Sequence, residues 1–209
     1  MKKGILYSLA IAGTMMFASC GSETEEVVEK EPLEICFYTY DSLSTEFSWT
    51  AYKTSAKVPV GGTFDDIQIT SDGSSDNPTA ILKSMKFSIK TASVNSANEE
   101  RDGKISSIFF GALNTQSIDG RLKKLTDDGK ATIEISMNGV KADVVGDYTF
   151  VEGKFTFGTS VEMKVWNAMI GIEALNEACN DLHTGDDGVS KLWSEVALSF
   201  STQLISDCD

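Results

Sequence analysis

Hydrophobic and polar residues alternate along most of the chain that follows residue 43. In the first alternating segment Phe47, Trp49 and Ala51 fall on one side, and polar residues lie between them. A period of two is typical of a strand with one buried face and one solvated face. The pattern predicts eight strands, at residues 44–54, 62–70, 80–91, 115–126, 130–137, 140–151, 154–165 and 192–205.

Turn residues separate the later strands of this series. Asp128-Gly129 and Asn138-Gly139 are strong markers of tight hairpins, and Glu152-Gly153 marks a further turn. Eight antiparallel strands with short hairpins favour a closed barrel, because closure removes exposed strand edges. A barrel of about eight strands either fills with its own side chains or holds one small ligand.

Two segments break the strand pattern. Ile105, Ile108 and the pair Phe109-Phe110 have spacings that suit one or two helical turns, and a barrel mouth would receive such an aromatic plug. From Trp166 to Leu182 the apolar residues recur at intervals of three and four, which predicts a helix that Gly185 ends. This helix would cap one end of the barrel or act as a lid over a ligand.

The N-terminus has the pattern of a targeting segment. Lys2 and Lys3 precede an apolar run from Ile5 to Phe17, which is too short to span a bilayer. The run ends in FASC followed by Gly, which resembles a bacterial lipoprotein signal with Cys20 as the acylated residue. An ordinary secretory signal with an incidental cysteine is the alternative. We therefore expect residues 1–19 to be a signal peptide.

An acidic segment follows the proposed lipidation site. Residues 20–35 contain many glutamates and few large apolar residues, which predicts a flexible tether extended by its own charge. An acidic run after a lipidated cysteine also resembles the surface-export signal of some Gram-negative lipoproteins. These features predict a protein anchored by lipid in the outer membrane, at its periplasmic face or at the cell surface. Residues 36–209 then form a single barrel domain.

Charge and composition argue against nucleic-acid binding and against catalysis. The formal net charge of −13 would repel nucleic acid. The only histidine, His183, lies at a predicted helix end, where the helix dipole favours a structural cation, and no G-x-S-x-G motif is present. A single histidine without paired cysteines makes zinc improbable. We expect no enzyme activity, no metal and no cofactor.

Three short motifs together resemble those of a known family. Arg101-Asp102, with Ile105 and then Phe109-Phe110, resembles the RD-x-x-L and FF segment of the YceI-like proteins. Gly62-x-Phe64 is similar to the family's G-x-F motif, and residues 137–141 (MNGVK) are similar to its GVT turn. The likeness covers roughly residues 41–205. One departure is Lys104, which stands near the position where the family often has a histidine.

The resemblance implies an all-β, eight-stranded antiparallel lipocalin-like barrel with a short helical plug and one C-terminal helix before the last strand. It also implies a non-catalytic protein whose barrel holds a long apolar ligand, such as a polyisoprenoid lipid or a quinone. The alternative is a structural or interaction lipoprotein whose barrel is packed solid. The ligand-binding residues implied by this likeness are Phe47, Trp49, Ala51, Met85, Phe87, Ile89, Arg101, Phe109, Phe110, Ile133, Ile135 and Phe157.

Arg101 has two interpretations. It would meet the polar headgroup of a ligand at the barrel mouth, because a guanidinium group matches phosphate with two hydrogen bonds. Alternatively, it pairs with Asp102 or Glu100 and fixes the loop to the rim of the barrel, since surface ion pairs are common.

Three cysteines remain once Cys20 is assigned to lipidation, and an exported protein is exposed to an oxidising compartment. In a closed eight-stranded barrel the first and last strands are antiparallel neighbours, which brings Cys36 close to Cys208. We expect a bridge between these two residues and a buried free thiol at Cys179. A bridge between Cys179 and either of the others is the alternative.

Overall fold

The computed structural model describes residues 34–41 and 43–208. The predicted signal peptide, Cys20 and most of the predicted tether lie outside these residues. Glu34–Asp209 form one compact unit by themselves. Within the described part of the chain, no helix has the length and apolar character needed to cross a membrane.

The fold is all-β, a curled antiparallel sheet with few helices, as the sequence predicts. The described residues form twelve strands: β1 (Cys36–Tyr40), β2 (Glu46–Lys53), β3 (Val58–Phe64), β4 (Ile67–Thr70), β5 (Ser74–Ser75), β6 (Lys86–Lys90), β7 (Val94–Asn95), β8 (Ser117–Leu125), β9 (Lys130–Met137), β10 (Val140–Val151), β11 (Lys154–Glu162) and β12 (Leu192–Cys208).

Ten of the strands follow one path through the sheet, in the order β4-β6-β8-β9-β10-β11-β12-β2-β3-β7. Only Asp65 and Asp66 separate β3, near one end of this path, from β4 at the other end. Three Cα steps cover at most about 11 Å. The two ends must therefore lie close together, which curls the sheet into what we call the barrel.

The predicted count of eight strands is not matched. The predicted strand 62–70 is two strands, β3 and β4, because the chain bends at Asp65-Asp66. Two backbone hydrogen bonds hold this bend: the Asp65 N–H donates to the Ser93 carbonyl, and the Lys90 N–H donates to the Asp66 carbonyl. The short strands β5 and β7 and the separate β1 account for the rest of the difference.

The helical segments are short. They are α1 (Pro78–Ser84), α2 (Glu99–Lys104), a π-helix (Ile105–Phe110), α3 (Met169–Ala178) and α4 (Asn180–His183), with 3-10 turns at Thr91–Ser93 and Met163–Trp166. Two predictions are corrected here. The start of the predicted strand 80–91 is helix α1, because Asn77 caps the Thr79 N–H and Pro78 occupies the first turn. The single predicted helix of residues 166–182 is α3 followed by α4, with a break at Cys179.

The hairpin turns lie where the sequence predicts them. β9 and β10 are joined by Asn138-Gly139, with φ angles of 51° and 70°, and β10 and β11 by Glu152-Gly153, with 50° and 77°. Positive φ at both central residues is the turn geometry that matches the twist of adjacent strands. The pairings β9–β10 and β10–β11 are regular along their whole length.

A disulfide joins Cys36 and Cys208, which are directly opposite each other in the β1–β12 pairing. Strand β1 lies off the main path and pairs only with the end of β12 and with β5. Cys179 is a buried free thiol. The bridge therefore fastens the start of the described chain to its end.

Candidate functional site

Three adjoining cavities lie along the inside of the barrel. We call them the mouth cavity, of about 290 Å3, the central cavity, of about 130 Å3, and the inner cavity, of about 30 Å3. The mouth and central cavities share Trp49, Ala51, Ile105, Leu175 and Leu192 as walls. The central and inner cavities share Phe47, Phe87, Ile135 and Leu198. The three therefore form a series that runs from a polar opening into an apolar interior.

The central cavity is apolar throughout. All twenty side chains that line it are apolar, and eight of them are aromatic. Strands β2 and β12 supply facing pairs, with Ala51 opposite Val196 and Trp49 opposite Leu198. The alternation of these strands places the apolar set of residues on the inner face.

Trp49 is held in place by its neighbours on β3. Its cross-strand partner is Gly62, and a Cβ atom at that position would lie 2.5 Å from the indole ring. The indole Nε1 donates a hydrogen bond to the Thr63 carbonyl at 3.3 Å. The Gly62-x-Phe64 motif therefore makes room for the tryptophan between the mouth and central cavities.

The aromatic plug closes one side of the central cavity. Helix α2 is capped by Asn98, whose side chain accepts from the Arg101 N–H, and it continues directly into the π-helix. Phe109 and Phe110 are both buried at the end of the π-helix, with ring centroids 4.9 Å apart in an edge-on arrangement. Helix α3 crosses this plug at Gly171, where a Cβ atom would lie 2.8 Å from the Phe109 ring.

Aromatic rings separate the central cavity from the inner cavity. The Phe87 ring has its centroid 6.5 Å from those of Phe47 and Phe200. Phe87 is only half-buried, whereas Phe47 is almost fully buried. The Phe87 side chain is therefore the less confined part of this partition.

The mouth cavity carries the charged groups of the site. Its walls combine apolar residues from β2, α3 and α4 with five polar side chains that can carry a charge: Lys53, Glu100, Arg101, Lys104 and His183. Lys104 pairs with Glu100 at 2.6 Å. The Lys53 ammonium donates to the Leu182 carbonyl at 3.1 Å. Polar groups thus stand at the end of the series where a ligand would meet solvent.

Arg101 and Asp102 both bind Ser96 rather than each other. Arg101 Nε donates to Ser96 Oγ at 2.7 Å, and a terminal guanidinium nitrogen donates to the Ser96 carbonyl at 3.0 Å. Asp102 accepts from the backbone N–H and the hydroxyl of Ser96, at 2.8 Å and 2.5 Å. The predicted pairing of Arg101 with Asp102 or Glu100 is therefore wrong. Arg101 fixes the loop through Ser96 while it also lines the mouth cavity.

His183 is buried at the mouth. Its Nδ1 lies 3.0 Å from the amide oxygen of Asn176, and its side chain has little contact with solvent. Burial lowers the pKa of His183, and the charge of Lys53 lowers it further. His183 lies in the last turn of α4, as the sequence predicts, but burial there favours the neutral imidazole over a cation.

We expect His183 to make the folded protein less stable in mild acid. The unfolded chain binds a proton near the ordinary pKa of about 6.5, whereas the pKa of buried His183 is lower. The free energy of unfolding should therefore fall as the pH drops through about 6.5 toward the pKa of the folded state. Urea denaturation at pH 7.5, 6.5 and 5.5 measures it for wild type and His183→Gln. Equal losses in both proteins would contradict this assignment.

The described residues contain no group of histidine, cysteine or carboxylate side chains suited to holding a metal ion. Adjacent aspartates at positions 65–66 and 186–187 are the kind of carboxylate pair that could hold a metal, but three of these four side chains have partners within the protein. Asp65 accepts from the Asn95 amide, Asp66 pairs with Lys90, and Asp187 accepts from the Val189 N–H. These contacts are typical of carboxylates that stabilise turns.

Comparison with known proteins places this arrangement in a family. The model of the YceI-like domain matches residues 38–204. The chain belongs to the YceI-like family. The match covers the barrel, the plug and the helices at the mouth, so all three cavities lie within the YceI-like domain. Among curated proteins the comparison finds no significant match.

Solved structures share the YceI-like fold at low sequence identity. A polyisoprenoid binding domain from Saccharophagus degradans, implicated in plant cell wall breakdown, has a TM-score of 0.58 and 10% identity; the match covers 83% of this chain and 99% of that domain. BcnA of Burkholderia cenocepacia has a TM-score of 0.54 and 13% identity, and the match covers 80% and 99% of the two chains. These likenesses show the fold.

The structure brings most of the predicted ligand-binding residues of the YceI-like domain together. Seven of them line the central cavity: Phe47, Trp49, Ala51, Phe87, Phe109, Phe110 and Ile135. Met85, Ile133 and Phe157 line the inner cavity, and Arg101 lines the mouth cavity. Ile89 lines none of the three, because it is completely buried between β4 and β8.

Several lining residues escape sequence reasoning. Trp193 lines the central cavity because the β2–β12 register shifts between Leu192 and Val196, which interrupts the alternation of β12. Met163 and Trp166 reach the same cavity from the 3-10 turn after β11. Lys53 and Lys104 come from distant parts of the chain and line the same mouth cavity. Only the apolar periodicity around Trp166 gives a signal in the sequence.

Proposed function

We propose that this protein is a lipid-anchored carrier that holds a long apolar lipid of the polyisoprenoid class inside its barrel and performs no chemistry on it. The isoprenoid tail of a lipid or of a quinone would occupy the central and inner cavities. The headgroup would remain in the mouth cavity. The observation that carries this proposal is the central cavity, whose lining is entirely apolar and which opens toward a polar mouth.

Burial of an isoprenoid tail supplies the binding energy in this proposal. Apolar area removed from water contributes about 25 cal/mol per Å2, and cavities that bind apolar ligands have few polar groups. A cavity packed with its own side chains would leave no area for the tail. The free volume of the barrel therefore favours a carrier over a solidly packed interaction module.

The central cavity alone is too small for a long tail. An engineered apolar cavity of about 150 Å3 binds benzene, and the central cavity is of similar size, about 130 Å3. A polyisoprenoid would need the three cavities to join. Rotation of the half-buried Phe87 side chain is the movement that opens the central cavity to the inner one.

The family and its relatives support the same class of ligand. The S. degradans domain with the same fold is described as a polyisoprenoid binding domain. Its sequence is only 10% identical to this chain, so the support comes from the shared barrel and not from shared ligand contacts. The cavities give the independent support from this chain itself.

We expect the lipid anchor to be attached at Cys20. The FASC sequence after a short apolar run motivates this prediction, and several acyl chains would hold the protein at the outer membrane, at its periplasmic face or at the cell surface. Full-length wild type should enter the detergent phase in phase partitioning and carry acyl chains by mass spectrometry. The Cys20→Ala variant should carry none. If both remain in the aqueous phase, the anchor is not there.

Extraction of bound lipid tests the carrier proposal directly. Residues 34–209 form a compact unit that contains the whole sheet and the disulfide, so this fragment is expected to fold without the anchor. Purified fragment from a bacterial host should yield an isoprenoid lipid in a ratio of about one per chain after extraction with organic solvent. If nothing is extracted and no polyprenol, polyprenyl phosphate or quinone binds on titration, the packed interaction module replaces the carrier.

A further inference from the structure

The mouth cavity has a charge opposite to that of the protein as a whole. The chain has a formal net charge of −13. Among the residues that line the mouth, Lys53, Arg101 and Lys104 are cationic and only Glu100 is anionic. His183 is kept neutral by burial and therefore adds no charge. Basic groups are thus concentrated at one place on an acidic surface.

The three cations are held in different ways. Arg101 is fixed by two hydrogen bonds to Ser96, which sets its direction before any ligand arrives. Lys53 donates to a backbone carbonyl, which leaves its positive charge without a carboxylate partner. The side chain of Lys104 is 29% exposed, while its partner Glu100 is 79% exposed, so the carboxylate lies on the solvent side of the pair.

We propose that the mouth selects a lipid with an anionic headgroup, a phosphate or diphosphate monoester of a polyprenol, over a neutral lipid such as a quinone. This inference rests on the proposed carrier function and names the class of its ligand. The headgroup takes the hydrogen bonds of Lys53 and Lys104, and Arg101 presents a fixed guanidinium beside them.

Physical chemistry favours an anion in this place. Hydrogen bonds between charged partners are about twice as strong as those between neutral partners. A quinone carbonyl can accept hydrogen bonds but has no negative charge, so it would leave the charges of the cations without compensation. The exposed pair Lys104–Glu100 contributes little by itself, so a phosphate replaces the carboxylate at small cost. The cavity of about 290 Å3 around these groups is large enough for such a headgroup.

The experiment compares lipids that differ only in the headgroup. The fragment 34–209 is titrated with a polyprenyl phosphate and with the polyprenol of the same chain length, in the same detergent and without phosphate buffer, and binding is followed by tryptophan fluorescence and native mass spectrometry. Quinone with a tail of similar length and inorganic phosphate alone are the other two probes. We expect the polyprenyl phosphate to bind at least about tenfold more tightly than the polyprenol or the quinone.

Substitution of the mouth lysines tests which residues make the selection. Lys53→Gln and Lys104→Gln should each weaken binding of the polyprenyl phosphate about threefold to tenfold and weaken binding of the polyprenol less, so that the preference for phosphate falls. Lys123→Gln is the matched control, because Lys123 of β8 is ion-paired with Asp143 of β10 as Lys104 is with Glu100, but it lines none of the three cavities. Thermal unfolding confirms that each variant is folded.

The outcomes separate the two proposals. Equal affinity for the phosphate, the polyprenol and the quinone would overturn the charge selection and leave the carrier proposal intact. Tight binding of inorganic phosphate alone would overturn it as well, because the mouth would then be a site for a free anion. Failure of every lipid to bind would overturn both proposals. A preference that survives both lysine substitutions would overturn the assignment to Lys53 and Lys104.

Discussion

Ala51→Trp is expected to abolish lipid binding and to leave the barrel folded. Ala51 is the only small side chain that lines the central cavity, and it also lines the mouth cavity. An indole at this position would occupy the passage between the two cavities. We expect at least a tenfold loss of affinity for a polyprenyl lipid and a change in the free energy of unfolding of less than about 1 kcal/mol, smaller than the overpacking cost of a filled core.

The same substitution separates a hollow barrel from a filled one. In a filled core an added side chain forces its neighbours from their preferred rotamers and costs about 1–3 kcal/mol. Urea denaturation of Ala51→Trp and lipid titration of wild type therefore give different results under the two interpretations. If Ala51→Trp lowers the stability by this amount and lipid binding is absent from wild type too, the interior is packed.

Ala197→Trp is the matched control for the passage. Ala197 lies on β12 opposite Thr50, one position along from the pair formed by Ala51 and Val196. Its side chain lines none of the three cavities. The control should bind lipid like wild type. Loss of binding in both variants would show that a tryptophan disturbs these strands wherever it is placed.

Strands joined by tight turns are predicted well from the sequence. β9 and β10 have the predicted bounds, and β8 and β11 differ from them by at most three residues at either end. Their signals are local, since the alternation and the Asn138-Gly139 turn lie within about twenty residues of each other. Local signals are enough for hairpins because each strand pairs with its neighbour in the chain.

The bend between β3 and β4 has a signal that alternation alone obscures. Phe64 and Ile67 are three residues apart, so the apolar residues change from even to odd positions between them. A continuous strand with one buried face does not permit this change. The dipeptide Asp65-Asp66 between them makes the turn, and helix α1 has a similar local signal in Asn77-Pro78.

The cavities could not be predicted from alternation, because a filled barrel and a hollow one have the same pattern of inward residues. The free volume depends on how the rings of Phe47, Phe87 and Phe110 pack in three dimensions. The group of charged residues at the mouth could not be predicted from the sequence either. Lys53, Lys104 and His183 come from β2, α2 and α4, and only the curled sheet brings them to one cavity.

Removal of the disulfide is expected to lower the free energy of unfolding, which is the second large effect that we predict. Cys36 and Cys208 are separated by 172 residues, so the bridge closes nearly the whole described chain into one loop. The chain-entropy model gives about 5 kcal/mol for a loop of this length, and removal of native bridges typically costs about 2–5 kcal/mol. The double variant Cys36→Ser with Cys208→Ser should lose this much in urea denaturation, which is a large fraction of the stability of an ordinary domain.

Cys179→Ala is the control for this measurement, because it removes a buried thiol that forms no bridge. It should lose about 1 kcal/mol or less, since only one sulfur atom is removed and Cys179 already borders the mouth cavity. Non-reducing peptide mapping of wild type should link Cys36 to Cys208. A peptide that links Cys179 to either of them would contradict both the pairing and the strand register behind it.

The position of β1 determines which amides lose protection from hydrogen exchange first when the bridge is removed. Strand β1 has five residues and pairs only with the end of β12 and with the two-residue strand β5. Without the bridge its amides should lose protection from hydrogen exchange before those of β9 and β10, each of which is paired on both sides with strands of eight to twelve residues. If the protein is anchored through the predicted tether as proposed, a force on that tether would pass through the bridge to β12 and would not separate β1 from the sheet. Equal protection of β1 with and without the bridge would contradict this role.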